Sequence, residues 1–325
     1  HHYHLGASPV KRSTLSDANT RRSPELFSRV CDYLMKQVHR TLRKELGDLL
    51  YLLDSTSIDL RGFGFDDWAA GYRNNVSQGL KLHLMIEGHH GSPVFSRITQ
   101  AQVSDIRVGR HIPLETGATY VFDMGYYDFN WWYEIDTKGS TFVTRLKKNA
   151  NVTRIESQDE SLSSDYILED ASVRMNSRMT NKYSTVNPYY GKRLRRITVD
   201  RPDKDTPLIL ITNSWKLPPE AIAELYKQRW GIELFFKWIK QNLRIKKFMG
   251  RSENAVRTQL WTALICYLLL QLYQRQQVID SSLKLCLAKL RLSLFQRPET
   301  ENRVSRQRTR MRKYIDTVQP QLALT

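Results

Sequence analysis

The chain has 325 residues, with 50 Lys plus Arg against 33 Asp plus Glu and a formal charge of +17. A hydrophobic share of 41% with 10% aromatics excludes a disordered chain and supports one large domain or two smaller ones. The charge points to a polyanionic partner, nucleic acid first. Cys31, Cys266 and Cys286 form no CxxC pair, so neither a zinc site nor a disulfide framework is indicated, and a reducing cytoplasm is the default. No signal peptide is visible, and the longest apolar run, around Trp261 to Tyr273, reads as too short and interrupted to span a membrane.

Residues 1–22 are polar and basic and read as an arm, or as the remnant of an N-terminal DNA-binding region. The chain starts at His1 without a methionine, which reads as a fragment or processed piece; the His1, His2, His4 group reads as incidental. Ser23-Pro24-Glu25 predicts a helix start, and Phe27, Val30, Leu34, Val38, Leu42 and Leu46 continue at helical spacing as a core stripe up to Gly47. Leu49 to Leu53 (LLYLL) reads as a buried strand ending at Asp54. A carboxylate there is costly unless it caps a turn, is paired or binds a cation. Asp59 is the rival acid, but it lies past the apolar run.

A loop over 61–79 leads to two strands, Leu80 to Glu87 and Pro93 to Thr99, with His89 and His90 in their turn. A short helix is expected from Ser104 to Pro113. Thr119 to Phe122 (TYVF) is a second short buried strand, and it too ends in an acid, Asp123. Then come Met124-Gly125-Tyr126, a helix through Trp131, Trp132 and Ile135, and a strand from Ser140 to Leu146. Residues 147–214 turn polar, then finish in two strand patterns, Lys192 to Asp200 and Leu208 to Ile211, and read as a β-rich insertion.

Leu217 to Leu243 reads as one helix, opened by Pro218-Pro219. Along it Tyr226, Arg229, Glu233 and Lys240 fall at roughly 0°, 300°, 340° and 320° for about 100° per residue, so they share one narrow face. Leu225, Ile232, Phe235, Phe236 and Ile239 fill the adjacent apolar arc. A carboxylate between two cations, beside an aromatic hydroxyl and bordering a core face, suits a metal-and-phosphate site. A solvated face, or an internal Arg229–Glu233 pair at i,i+4, is the plainer account. Helices are expected over 252–276 and 282–295, and Arg303 to Lys313 reads as a basic helix. From Lys237 to Lys313 there are 18 Lys or Arg against four acids, which suits contact with a phosphate backbone.

The spacing Y-x2-R-x3-E-x6-K, its context RWGIELFFKWIKQ and the stretch Asp123-Met124-Gly125-Tyr126 resemble the bacterial DDE transposases of the insertion sequence 4 family. The resemblance covers about residues 48–250. It implies an α/β, ribonuclease-H-like mixed sheet flanked by helices. A β-rich insertion would precede the last catalytic helix, and a helical C-terminal region would follow. The organisation implied is an arm over 1–22, the first part of the catalytic core over 23–146, the insertion over 147–214, the catalytic helix over 215–250 and a basic helical region over 251–325.

The resemblance further implies that Asp54, Asp123 and Glu233 are catalytic and hold Mg²⁺ or Mn²⁺. Two ions about 3.5–4 Å apart would serve in-line phosphoryl transfer. Tyr226, Arg229 and Lys240 would grip DNA phosphates, with Lys246 and Lys247 adding positive charge and Trp230 or Trp215 available for base stacking. Trp230 also reads as a core residue. The implied process is cut-and-paste transposition at element ends, in a homodimer assembled on DNA, in the bacterial cytoplasm near the nucleoid and with no membrane. Only 53 residues precede Asp54, so the family's N-terminal DNA-binding region is expected to be shortened. The alternatives are a related metal-dependent nuclease and a truncated DNA-binding or inhibitory product.

Overall fold

The computed structural model describes residues 8–72, 77–157, 164–179, 185–243, 245, 247–276 and 282–294. The terminal histidines, Lys246 and the basic run Arg303 to Lys313 lie outside the described residues. Compact packing divides the chain into two units, 19–269 and the termini 1–18 with 270–325. The elements in order are α1 (Arg12–Arg21), α2 (Glu25–Glu45), β1 (Leu50–Asp59), α3 (Asp66–Ala69), β2 (Gly79–Glu87), β3 (Ser92–Gln100) and α4 (Asp105–Gly109). They continue with β4 (Thr119–Phe122), α5 (Phe129–Thr137), β5 (Thr141–Arg145), β6 (Val152–Ser157), β7 (Ile167–Met175), β8 (Arg193–Val199) and β9 (Leu208–Thr212). Four helices follow: α6 (Pro219–Gln228), α7 (Trp230–Asn242), α8 (Glu253–Gln276) and α9 (Leu283–Leu294).

The strands form one nine-stranded sheet in the order β3-β2-β1-β4-β5-β9-β8-β7-β6. β1, β4 and β5 run parallel, while β2 is antiparallel to both β1 and β3. That five-strand order and sense is the ribonuclease-H-like α/β arrangement. β9 adds antiparallel to β5 and carries β8, β7 and β6 with it, so these strands extend the same sheet.

Side chains alternate across the sheet. Tyr51 and Leu53 of β1, Tyr120 and Phe122 of β4 and Phe142 of β5 meet Trp131, Trp132 and Ile135 of α5 in one aromatic core. The even-numbered positions of β1 face the other way, where α7 lies so close that a Cβ on Gly231 would sit 3.7 Å from Leu52. The outer side of α7 is covered in turn, since Tyr267 of α8 packs edge-on against Phe235 and Trp238. α8 is long and apolar enough to cross a membrane by length and composition, in contrast to the sequence reading, but much of its apolar surface is buried, including Val256, Leu260, Leu264 and Leu268.

Three expectations are corrected. β1 does not end at Leu53: it pairs with β2 through Asp59, because the β2 backbone satisfies its polar half as well as its apolar half. The inward stripe of α2 is Cys31, Met35, Val38 and Leu42, whereas Phe27 and Val30 of the expected stripe are exposed. The predicted single helix is two. Arg229 keeps helical dihedrals, but the hydrogen bonds tighten there to i−3 (Arg229 N–H to Tyr226 O, Ile232 N–H to Arg229 O), a 3₁₀ step.

One buried ion pair ties the extension to the start of α6. Arg195 of β8 makes a two-bonded contact with Asp170 of β7 (2.8 and 2.6 Å) and donates to the carbonyls of Ser214 and Leu217. Both side chains are buried. Asp170→Ala leaves a guanidinium buried without its counter-charge and is expected to cost about 3–5 kcal/mol, whereas an apolar replacement of both partners costs less. Urea unfolding of the two variants checks this.

Candidate active site

β1 and β4 pair in parallel as far as Leu53 with Phe122, and then they part. Asp54 and Asp123 are the next residue on each strand. Neighbouring strands lie about 4.8 Å apart, so the two acids start side by side. Being two positions on from Leu52 and Val121, both occupy the face covered by α7. The opening beyond the paired ends is where open α/β sheets bind ligands. Asp54 sits mid-strand, but it is also the first position of β1 without a β4 partner.

Arg229 joins the acids. Its guanidinium donates to Asp54 Oδ2 at 3.2 Å and to Glu233 Oε1 at 2.7 Å. The i,i+4 pair Arg229–Glu233 therefore forms, and it also reaches a third residue 175 positions away. Arg229 Nε is buried with no hydrogen-bond partner among the described residues. Asp54 Oδ1 accepts from Ser55 N–H, and Asp123 Oδ1 accepts from Gly125 N–H at 2.8 Å.

Burial pushes the Asp54 carboxyl up to about 6; the charges of Asp123 and Glu233 push the same way, while the Ser55 N–H and Arg229 oppose them. Burial likewise raises Asp123, against the Gly125 N–H and Arg229. The charges of Asp123 and Glu233 thus both bear on Asp54. Among the described residues, no three His, Cys, Asp or Glu side chains form a ready-made metal-binding group, and the cation between Asp54 and Glu233 belongs to Arg229.

Beside them lies a cleft of about 390 Å³ lined by Asp54, Thr56, Glu233, Phe236, Lys237 and Lys240. Lys240 donates to Thr56 Oγ1 at 2.5 Å, so it spans from α7 to β1. Tyr226 is buried, with its ring 5.7 Å from the Arg229 guanidinium, and burial holds its phenol above the usual range and therefore neutral. Lys247 is exposed beyond α7. Trp230 is 57% exposed, which corrects its reading as core: the first residue of α7 faces away from the packed side. Trp215 is 46% exposed. Asp59, the rival acid, holds Gln78 N–H and Arg61 at the far end of β1.

Two residues escaped the sequence reading. Arg145, the last residue of β5, lies near enough to Asp123 and Tyr226 to favour the ionised form of both; a cation ending a buried strand was the available signal. Asp105, the first residue of α4, raises Asp123 by its charge. At a helix start it looks like an ordinary N-terminal acid.

The strand order and flanking helices define an α/β fold of the ribonuclease-H-like class. Residues 45–269 match the transposase DDE domain family, and the chain belongs to that family. It is 40% identical over 271 residues to the "Putative transposase y4zB" of Sinorhizobium fredii, covering 82% of this chain and 72% of that protein. It is 24% identical over 277 residues to the "Putative transposase for insertion sequence element IS4SA" of Synechocystis, covering 82% of this chain and 73% of that one. These matches support a DNA transposase of the insertion sequence 4 family. A solved structure titled as a piggyBac transposase synaptic complex with hairpin DNA superposes with a TM-score of 0.43 at 11% identity, over 75% of this chain and about half (52%) of that one, too loosely to carry a conclusion.

A raised carboxyl contributes stability in its protonated form, fully present below about 4 and lost as pH rises through about 6. Metal-free protein is therefore expected to lose stability between pH 4 and 7. Asp54→Asn removes that part of the slope and gains about 2–3 kcal/mol at pH 7. Thermal denaturation in chelator across that range checks it.

Proposed function

We propose that this chain performs metal-dependent cut-and-paste transposition, with Asp54, Asp123 and Glu233 as its catalytic carboxylates. The observation that carries this reading is the Arg229 clasp: one guanidinium bonds Asp54 and Glu233, while the charges of Asp123 and Glu233 both bear on Asp54. Hard divalent cations take oxygen ligands, and a carboxylate cluster that has drawn in the nearest cation fits such an ion. Asp54, Asp123 and Glu233 would hold Mg²⁺ or Mn²⁺, two ions in our reading. When bound, they supply activation of the attacking oxygen and stabilisation of the leaving oxygen at phosphorus.

The chain's own groups do the rest. Lys240 and Lys237 line the cleft and attract the DNA backbone. Arg229 has a planar fork suited to phosphate as well as carboxylate, and its unpartnered Nε–H leaves the resting clasp imperfect. With the acids engaged by such ions, Arg229 would turn its fork to a phosphate. Tyr226, as a neutral phenol, can donate a hydrogen bond. Exposed Lys247 extends the positive track, and exposed Trp230 or Trp215 offers a stacking surface for an unpaired base. The order of events is nicking at the element end, attack of the freed 3′-hydroxyl on the opposite strand to give a hairpin, reopening, and transfer to target DNA. Two chains would hold the two ends, in the compartment where bacterial DNA lies.

The test is incubation of the chain with element-end DNA and Mg²⁺ or Mn²⁺, scored for nicks, hairpins and joined products. Asp54→Ala, Asp123→Ala and Glu233→Ala are each expected to remove strand cleavage while DNA binding persists; normal cleavage by any of them sinks its assignment. Cleavage without joining would favour a nuclease, and binding alone would favour a non-catalytic product. Lys240→Ala is expected to weaken binding across sequences and to flatten the salt dependence by about one in slope, read from DNA titrations at several ionic strengths.

A further inference from the structure

Asp105 lies outside the three assigned acids, yet it touches the chain segments that carry two of them. It opens α4, after Ser104 in extended conformation. Its Oδ1 accepts from Ser55 Oγ at 2.7 Å, and Ser55 directly follows Asp54. The same oxygen accepts from Lys81 Nζ at 3.2 Å, and Lys81 also donates to Val103 O, so the amine ties the acid to the turn before it. His83 Nδ1 stands 3.4 Å away with no hydrogen bond of its own among the described residues, while its Nε2 meets Thr99.

The other oxygen of Asp105 points to the second strand end. A Cβ on Gly125 would lie 2.6 Å from Asp105 Oδ2 and 3.0 Å from Asp123 Oδ1. Gly125 is the residue whose N–H holds Asp123. Its φ is not positive, so what requires glycine here is space: the turn is pressed between two carboxylates. One side chain thus reaches the residue after Asp54 and the residue that fixes Asp123.

We propose that Asp105 is a positioning residue of the carboxylate centre: it brackets β1 just past Asp54 and the turn that follows β4, and sets the spacing of Asp54 and Asp123 for cation binding. Lys81 holds the bracket from the side of the sheet opposite α7. Ser55 passes its position to Asp54, and the Gly125 turn passes it to Asp123. The charge of Asp105 also strengthens the negative field at Asp123. Outer partners of this kind are worth about 10- to 100-fold in metal affinity or activity.

The inference rests on the metal-centre reading above, so its test separates the two. Metal-free full chain is titrated with Mn²⁺ without DNA, followed by electron paramagnetic resonance of the free ion, beside a thermal melt of each variant. Asp105→Ala is expected to raise the Mn²⁺ dissociation constant about 10-fold or more. Ser55→Ala, the milder variant should Asp105→Ala fail to fold, shifts it in the same direction. Asp54→Asn serves as the reference loss. Wild-type Mn²⁺ affinity in the folded Asp105 and Ser55 variants, with or without a lower melting temperature, overturns the positioning role while Asp54→Asn still loses binding. Wild-type affinity in Asp54→Asn as well removes the metal-centre reading itself.

Discussion

Asp54 and Asp123 stand side by side where two parallel strands part, Glu233 of α7 adds a third negative charge on Asp54, and a single guanidinium makes the arrangement tolerable. Arg229 bonds Asp54 and Glu233 at once, and its charge reaches Asp123. The rest of the structure can be read as what brings that side chain there. β1 and β4 must be adjacent and parallel so that the acids emerge together. α7 must lie against β1, where Gly231 stands over Leu52. The 3₁₀ step at Arg229 lets the polar face turn over the strand ends while Ile232, Phe236 and Ile239 remain buried.

The opposing forces differ in strength. Burial is the largest influence on both aspartates, and it acts against their charge. An ion pair at a partly buried site compensates desolvation only when its geometry is good. Here two of the guanidinium nitrogens are hydrogen-bonded and the third has no partner among the described residues. The centre is therefore held in order with one donor of its clasp left over.

Much of the fold was legible because its signals are local. LLYLL and TYVF are short apolar runs, and each is followed by an acid; the Y-x2-R-x3-E-x6-K spacing is set by helix geometry. The misreadings arose where a tertiary partner overrides the local pattern. β1 continues through polar Ser55 to Asp59 because β2 supplies hydrogen bonds that side-chain polarity does not reveal. The α2 stripe is displaced because Cys31 and Met35 meet the core in place of Phe27 and Val30. Trp230 is exposed because the face of α7 is fixed by Ile232 and Phe236, and an aromatic at its first turn gains nothing from that face. Asp105 and Arg145 could not be found by spacing, since each acts across the sheet on residues far away in the chain.

The placement of Arg229 and Glu233 four residues apart has a further consequence for assembly. Asp54 and Asp123 are separated from Arg229 by a long β-rich stretch, so any pairing of β1 with β4 that precedes the packing of α7 lacks this counter-ion. The third acid carries no such burden. It enters the crevice on the same turn of chain as the guanidinium, and the net charge of the centre never passes through its most negative value while the chain closes.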